Sequence, residues 1–211
     1  RDWLINTTIL SGDLSSDDGP DFTNNAENSY HVLYSISVNS SAILDGFTIT
    51  GGNANGEYPH SNGGGMHNTA NSTPTLANCI FTDNKAYQGG GMYNDTSIPT
   101  LTNCTFESNQ ADFGGGMYNQ TSSPEITNCT FNNNSVGYGE GGYYGGGMYN
   151  YSNSSPTMIN CIFTNNAADA GGGIFNNSNS SPSMTNCIIS GNSASYSGGG
   201  IYNTINSSPV L

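Results

Sequence analysis

Basic side chains are almost absent: Arg1 and Lys85 are the only two, against 15 acidic residues, for a formal net charge of −13. That balance excludes nucleic acid as a partner, because phosphates are gripped by lysine and arginine. It also disfavours anionic membrane surfaces. No apolar run is long enough to span a bilayer, so membrane insertion is not expected. No window carries apolar residues at helical spacing over three turns, and the load of glycine, asparagine and serine opposes helix. Only 34% of residues are hydrophobic, a level that leaves a chain disordered unless a repeat compensates. There is no Cys-x-x-Cys, and the three histidines are scattered along the sequence, so zinc is not expected. There is no signal peptide and no initiating methionine, and the chain reads as processed or excised. A composition rich in Asn, Ser and Thr and poor in Lys fits an extracellular or cell-surface protein.

What is present is a repeat. GGGMYN, a short Ser/Thr/Pro link and LTNCTFESN run from Gly89 to Asn109, and the unit recurs from Gly63, Gly114, Gly145 and Gly171, with a partial copy from Gly198. Leu4, Leu44, Leu76, Leu101, Ile126, Met158, Met184 and Leu211 mark its register. Spacings of roughly 25–40 residues mean stacked supersecondary units, none of which buries an apolar face alone. Cys79, Cys104, Cys129, Cys161 and Cys187 follow the mark, with Phe81, Phe106, Phe131, Phe163 and Ile189 two residues further on. That is strand alternation. Asn84, Asn109, Asn134, Asn166 and Asn192 close each segment. In the glycine segment, Met66, Met92, Met117, Met148, Ile174 and Ile201 are expected to point inward and the next residue outward.

Three short parallel strands per coil with Asn- and Gly-rich corners give an all-β parallel β-helix of about seven coils. Like residues stack on like, so the asparagines are expected to form ladders that satisfy one another and the corner backbone. The whole chain, 1–211, is expected to be one domain, with an acidic loop at 13–29 and corner insertions at 53–62 and 136–144. Residues 1–12 are expected to match the second half of the unit, with Ile9 on the phenylalanine position. The cysteines share one register, where parallel side chains are poorly placed for a disulfide; a buried thiol ladder is expected.

The alternation of FTDN, FESN, FNNN and FTNN with GGGM or GGGI resembles the repeats of bacterial right-handed parallel β-helix proteins, including polymorphic outer-membrane proteins and autotransporter-like adhesins. The resemblance covers about residues 30–211. It implies a secreted or surface protein used for adhesion or as a structural stalk. This chain shows no membrane barrel or anchor from which to carry over an export route.

Candidate contact residues fall in three places. Asp13, Asp17, Asp18 and Asp21 crowd the first loop, an arrangement that suits calcium or a plain solvated turn. The outward column, including Tyr93, Tyr118, Tyr149, Phe175 and Tyr202, is expected to cover its sheet, and a flat aromatic stripe also suits glycans or another surface protein. Tyr58, His60, Tyr138, Tyr143 and Tyr144 decorate the insertions. Catalysis is not expected: lyase chemistry lacks its arginine or lysine base, and Asp83 with Glu107 is the nearest approach to a hydrolytic carboxylate pair. Because the sequence runs between the same register mark at Leu4 and Leu211, end-to-end self-association into a filament is a further expectation.

Overall fold

The computed structural model describes residues 7–137 and 142–211. The strands are short and all ladders between them are parallel, forming four sheets that run along one axis. One rung illustrates the path. Thr100–Thr102 lies in a leucine sheet, Thr105–Glu107 in a phenylalanine sheet and Gln110–Ala111 in an alanine sheet; after the glycines, Met117–Gln120 lies in a methionine sheet. The leucine and alanine sheets have six strands each and the other two have seven. Four sheets replace the expected three. The backbone after each ladder asparagine stays extended for two residues, turns an alanine or valine inward and pairs with its copies before the glycines turn it.

The repeat register holds along the stack. Leu44, Leu76, Leu101, Ile126, Met158 and Met184 stand over one another. Phe81, Phe106, Phe131 and Phe163 are fully buried, with ring centres 4.5–4.8 Å apart and planes within 4° of parallel. The first strand, Thr8–Ser11, departs from expectation by one residue: Leu10, not Ile9, pairs with Ile49 and so joins the phenylalanine column. A slip of one exchanges the faces of a strand, and Ile9 is accordingly 58% exposed. The register proposed for Leu4 lies outside the described residues, as does Tyr138.

Asparagine ladders supply the polar framework. Asn109 donates from Nδ2 to the Phe81 carbonyl at 2.9 Å and to Asn134 Oδ1 at 3.0 Å. Its own Oδ1 accepts from the backbone and side-chain nitrogens of Asn84. A second ladder, buried from Asn68 to Asn176, joins Asn68, Asn94, Asn119, Asn150, Asn176 and the exposed Asn203 at 2.8–2.9 Å. A third, exposed ladder runs through Asn78, Asn103, Asn128, Asn160 and Asn186. There the backbone is left-handed, with φ of 53–55°, a conformation asparagine tolerates better than most residues.

The glycine triplet is a packing requirement. A Cβ on Gly90 would lie 2.5 Å from the Gln110 carbonyl oxygen and 2.6 Å from that of Gly115. Backbone here packs on backbone with no room for a side chain. The five cysteines are free. Their thiols point to nearby carbonyls, as Cys79 does to Ala77 and Cys129 to Thr127. A hydrogen bond with the Cys129 thiol, and then burial, push Cys104 up to about 12, and burial pushes Cys161 up to about 11, so both stay protonated and inert.

Candidate functional site

The aromatic column stands on the outer face of the methionine sheet, as alternation requires, but it is covered. Tyr93, Tyr118, Tyr149 and Phe175 are 2–6% exposed, and Tyr202 is half-buried. The cover comes from the residues just before each glycine triplet. Asn62, Gln88, Phe113, Tyr144 and Ala170 stack in their own parallel column. From it, Phe113 and Tyr144 pack against Tyr149, and Tyr144 stacks on Phe175 at 4.5 Å. The result is a second, smaller core beside the main one. The inner hydroxyls are held too: Tyr93 donates to Gln120, and Asn177 donates to Tyr149. Burial raises the phenol pKa of Tyr93, Tyr118 and Tyr149. These rings are therefore not free to stack on a sugar. Period-two alternation tells inside from outside, but it does not show what lies over the outside.

The acidic loop folds around Asp13. Its Oδ1 accepts from the backbone nitrogens of Ser15, Ser16 and Asp17, and its Oδ2 from that of Asp18. Carboxylate oxygens of Asp13, Asp18 and Glu27 lie within 4.8 Å of one another. Of the four aspartates expected there, Asp13 and Asp18 belong to that group and Asp17 and Asp21 do not; Glu27 is the third member. Asn28 is buried against the group. Its Nδ2 donates to Asp18 at 2.7 Å and to the Gly51 carbonyl at 2.8 Å. Two acceptors on one nitrogen fix the orientation of the amide, and the buried Oδ1 has no partner. The loop is tied to the coils by Asn53 donating to the Asn25 carbonyl and by Lys85 over the Phe22 ring.

Between this loop and the coils runs a groove of about 670 Å³. One wall holds Asp18, Asp21, Phe22 and Asn25. The other is a series of corner and strand residues from successive rungs, including Asp83, Ser108, Gln110, Asn133, Ser135 and Asn165. The lining is mostly amide, hydroxyl and carboxylate. Asp83 and Glu107 do not face each other as a catalytic pair would. Glu107 pairs with Thr82 and Asn132 in the ladder, while Asp83 stands at the corner beyond. Each is occupied locally: Thr82 donates to Asp83 and Asn132 donates to Glu107.

Residues 55–61 leave the helix at one corner, before a glycine triplet, and the second insertion lies largely outside the described residues. Tyr58 and His60 are exposed on the first, whereas Tyr144 serves as cover. The first insertion also gathers the histidines, scattered though they are along the sequence. His31 lies 5.7 Å from His60 and 5.3 Å from His67 between ring centres. Burial, with repulsion from His31 and His60, pushes His67 down to about 4. Tyr34 pairs with His67 across rungs, which sets His31 close to the same corner.

A family model described as a right handed beta helix region matches residues 14–167, and one described as a Chlamydia polymorphic membrane protein repeat matches residues 186–204. No curated protein and no solved structure gives a significant match. Among the described residues no helix is long and apolar enough to cross a membrane.

Proposed function

The chain belongs to the right-handed β-helix family, and on that premise we propose that it is a non-catalytic, adhesive or structural module of an extracellular or cell-surface protein. The observation that carries this reading is the long polar groove beside a stack of self-satisfied rungs. Ladders of stacked Asn and Phe make a stiff rod, and the groove offers amide and hydroxyl groups from at least four rungs in one line. Such a lining matches the hydroxyls of a glycan or the backbone of an extended peptide better than it matches a charged polymer. The repeat resemblance to polymorphic membrane proteins supports the surface assignment. The local pairing of Asp83 and Glu107 supports the absence of hydrolysis.

A carbohydrate-binding reading is retained, moved from the aromatic column to the groove. Calcium is part of the same proposal: Asp13, Asp18 and Glu27 form an oxygen-only donor set of the kind this ion prefers. Held there, it would stiffen the groove wall. A glycan array and a panel of immobilised surface proteins test the reading, using the native chain beside Gln110→Arg and Ser135→Arg. Both substitutions fill the groove from outward strand positions. Saturable binding lost in both variants is the expected result. Release of shortened chains from any polysaccharide would replace adhesion with catalysis.

A further inference from the structure

His31, His60 and His67 are all the histidines of the chain, and they come together from three segments. Nδ1 of His31 lies 3.0 Å from the Gly63 carbonyl oxygen. A carbonyl only accepts, so Nδ1 carries the proton and the lone pair sits on Nε2. That Nε2 is buried and has no partner. Nδ1 of His67 is also buried without a partner, in a residue that is 2% exposed. A buried polar atom left unpaired is costly, and these two belong to neighbouring rings.

The position of His67 adds a second observation. In every other rung of this column the residue is aromatic and not histidine: Tyr34, Tyr93, Tyr118, Tyr149, Phe175 and Tyr202. Stacking alone does not select imidazole here, since a tyrosine or phenylalanine ring fills the same place on six rungs. What imidazole adds is a nitrogen lone pair. The carbonyl of Gly63 on the far nitrogen of His31 is the usual way an outer partner orients a ligating imidazole.

From this we infer that His31, His60 and His67 form a binding site for a divalent late transition-metal ion, with imidazole nitrogens as its protein ligands. Nitrogen-only donors suit copper, zinc or nickel and not calcium or magnesium. Two imidazoles on one ion at about 2.0–2.1 Å hold their ring centres roughly 5–6 Å apart, the range observed for both His31 pairs. The three nitrogens do not converge as they stand. His60 is exposed on the insertion and stacked on Tyr30, and it has to turn inward to complete the set. The strongly negative chain concentrates cations around it.

Copper(II) sulfate added to the metal-stripped chain tests this, followed by calorimetry and electron paramagnetic resonance. One equivalent should bind, with nitrogen hyperfine structure in the spectrum. His60→Ala, on an exposed loop, should keep the circular dichroism of the native chain and weaken binding about tenfold or more. His31→Asn should do the same, because its amide can still donate to the Gly63 carbonyl while the Nε2 ligand is gone. Asp18→Asn should leave the copper site unchanged. Oxygen-only coordination, undiminished affinity in both histidine variants, or no binding at all would each overturn the site and leave the cluster as ring packing.

Discussion

Between Leu76 and Asn192 the rungs are nearly copies, and the buried amides there find partners above and below. Residues 25–68 are built from the same kinds of residue, but the copying fails. The five buried side-chain atoms without a hydrogen-bond partner among the described residues all fall in this stretch: Asn25 Nδ2, Asn28 Oδ1, His31 Nε2, His67 Nδ1 and Asn68 Oδ1. The contrast has a physical origin. A ladder satisfies each amide with an identical one 25–32 residues away, so it serves stability and leaves nothing free for a ligand. Where the register is broken by the loop and the insertion, donors and acceptors are left over. Both candidate cation sites lie there, and so does one wall of the groove.

The largest expected effect comes from breaking the regular part. Asn109→Leu removes two donated bonds and the acceptor for Asn84, and strands the Phe81 carbonyl in the core. Unsatisfied buried groups of this kind put the cost at about 3 kcal/mol, read by denaturant unfolding. Asn103→Gly, in the exposed ladder, is the companion. It also loses ladder bonds, but water replaces them and glycine relieves the left-handed backbone. Its effect should stay within about 0.5 kcal/mol. Equal losses in the two variants would mean that burial is not what gives the inner ladder its strength.

The same contrast separates what was legible in the sequence from what was not. Where residues repeat, position in the unit translates directly into position in space. The Leu, Cys, Phe and Asn columns and the free thiols could all be read from register alone. The fourth sheet was hidden because a two-residue strand such as Gln110–Ala111 is too short to show alternation. The cover over Tyr118 and Tyr149 was hidden for another reason: Phe113 and Tyr144 precede the glycines, at a place where the repeat carries Asn62, Gln88 or Ala170 instead. Glu27 and the gathering of His31, His60 and His67 depend on how two non-repeating segments fold back. No period encodes that.

Calcium sharpens the comparison on the irregular side. With Asp13, Asp18 and Glu27 relieved of their mutual repulsion, calorimetric melting should shift upward in calcium chloride and downward in chelator. At a hundredfold excess over the dissociation constant the stabilisation is about 2.7 kcal/mol. Asp18→Asn and Glu27→Gln should abolish the shift, whereas Asp17→Asn and Asp21→Asn should preserve it. Identical melting with and without the ion would reduce the loop to a solvated acidic turn.

A gain in place of a loss tests whether the irregular region can be converted into the regular one. Asn68 heads the second buried ladder: it donates to Asn94 at 2.9 Å, yet its own Oδ1 has no donor because the rung before carries Ser35. Ser35 pairs directly with Asn68 and is itself buried. Ser35→Asn would place an amide where each later rung has one, donating to the free oxygen in the ladder's own direction. One added buried hydrogen bond predicts a gain of about 1 kcal/mol. The ring of His31 lies elsewhere, against the neighbouring Tyr34 and His67, so copper binding should not change. A loss of stability instead would show that the first rung is too narrow for asparagine at this position, and that the ladder ends at Asn68 for want of space and not for want of a partner.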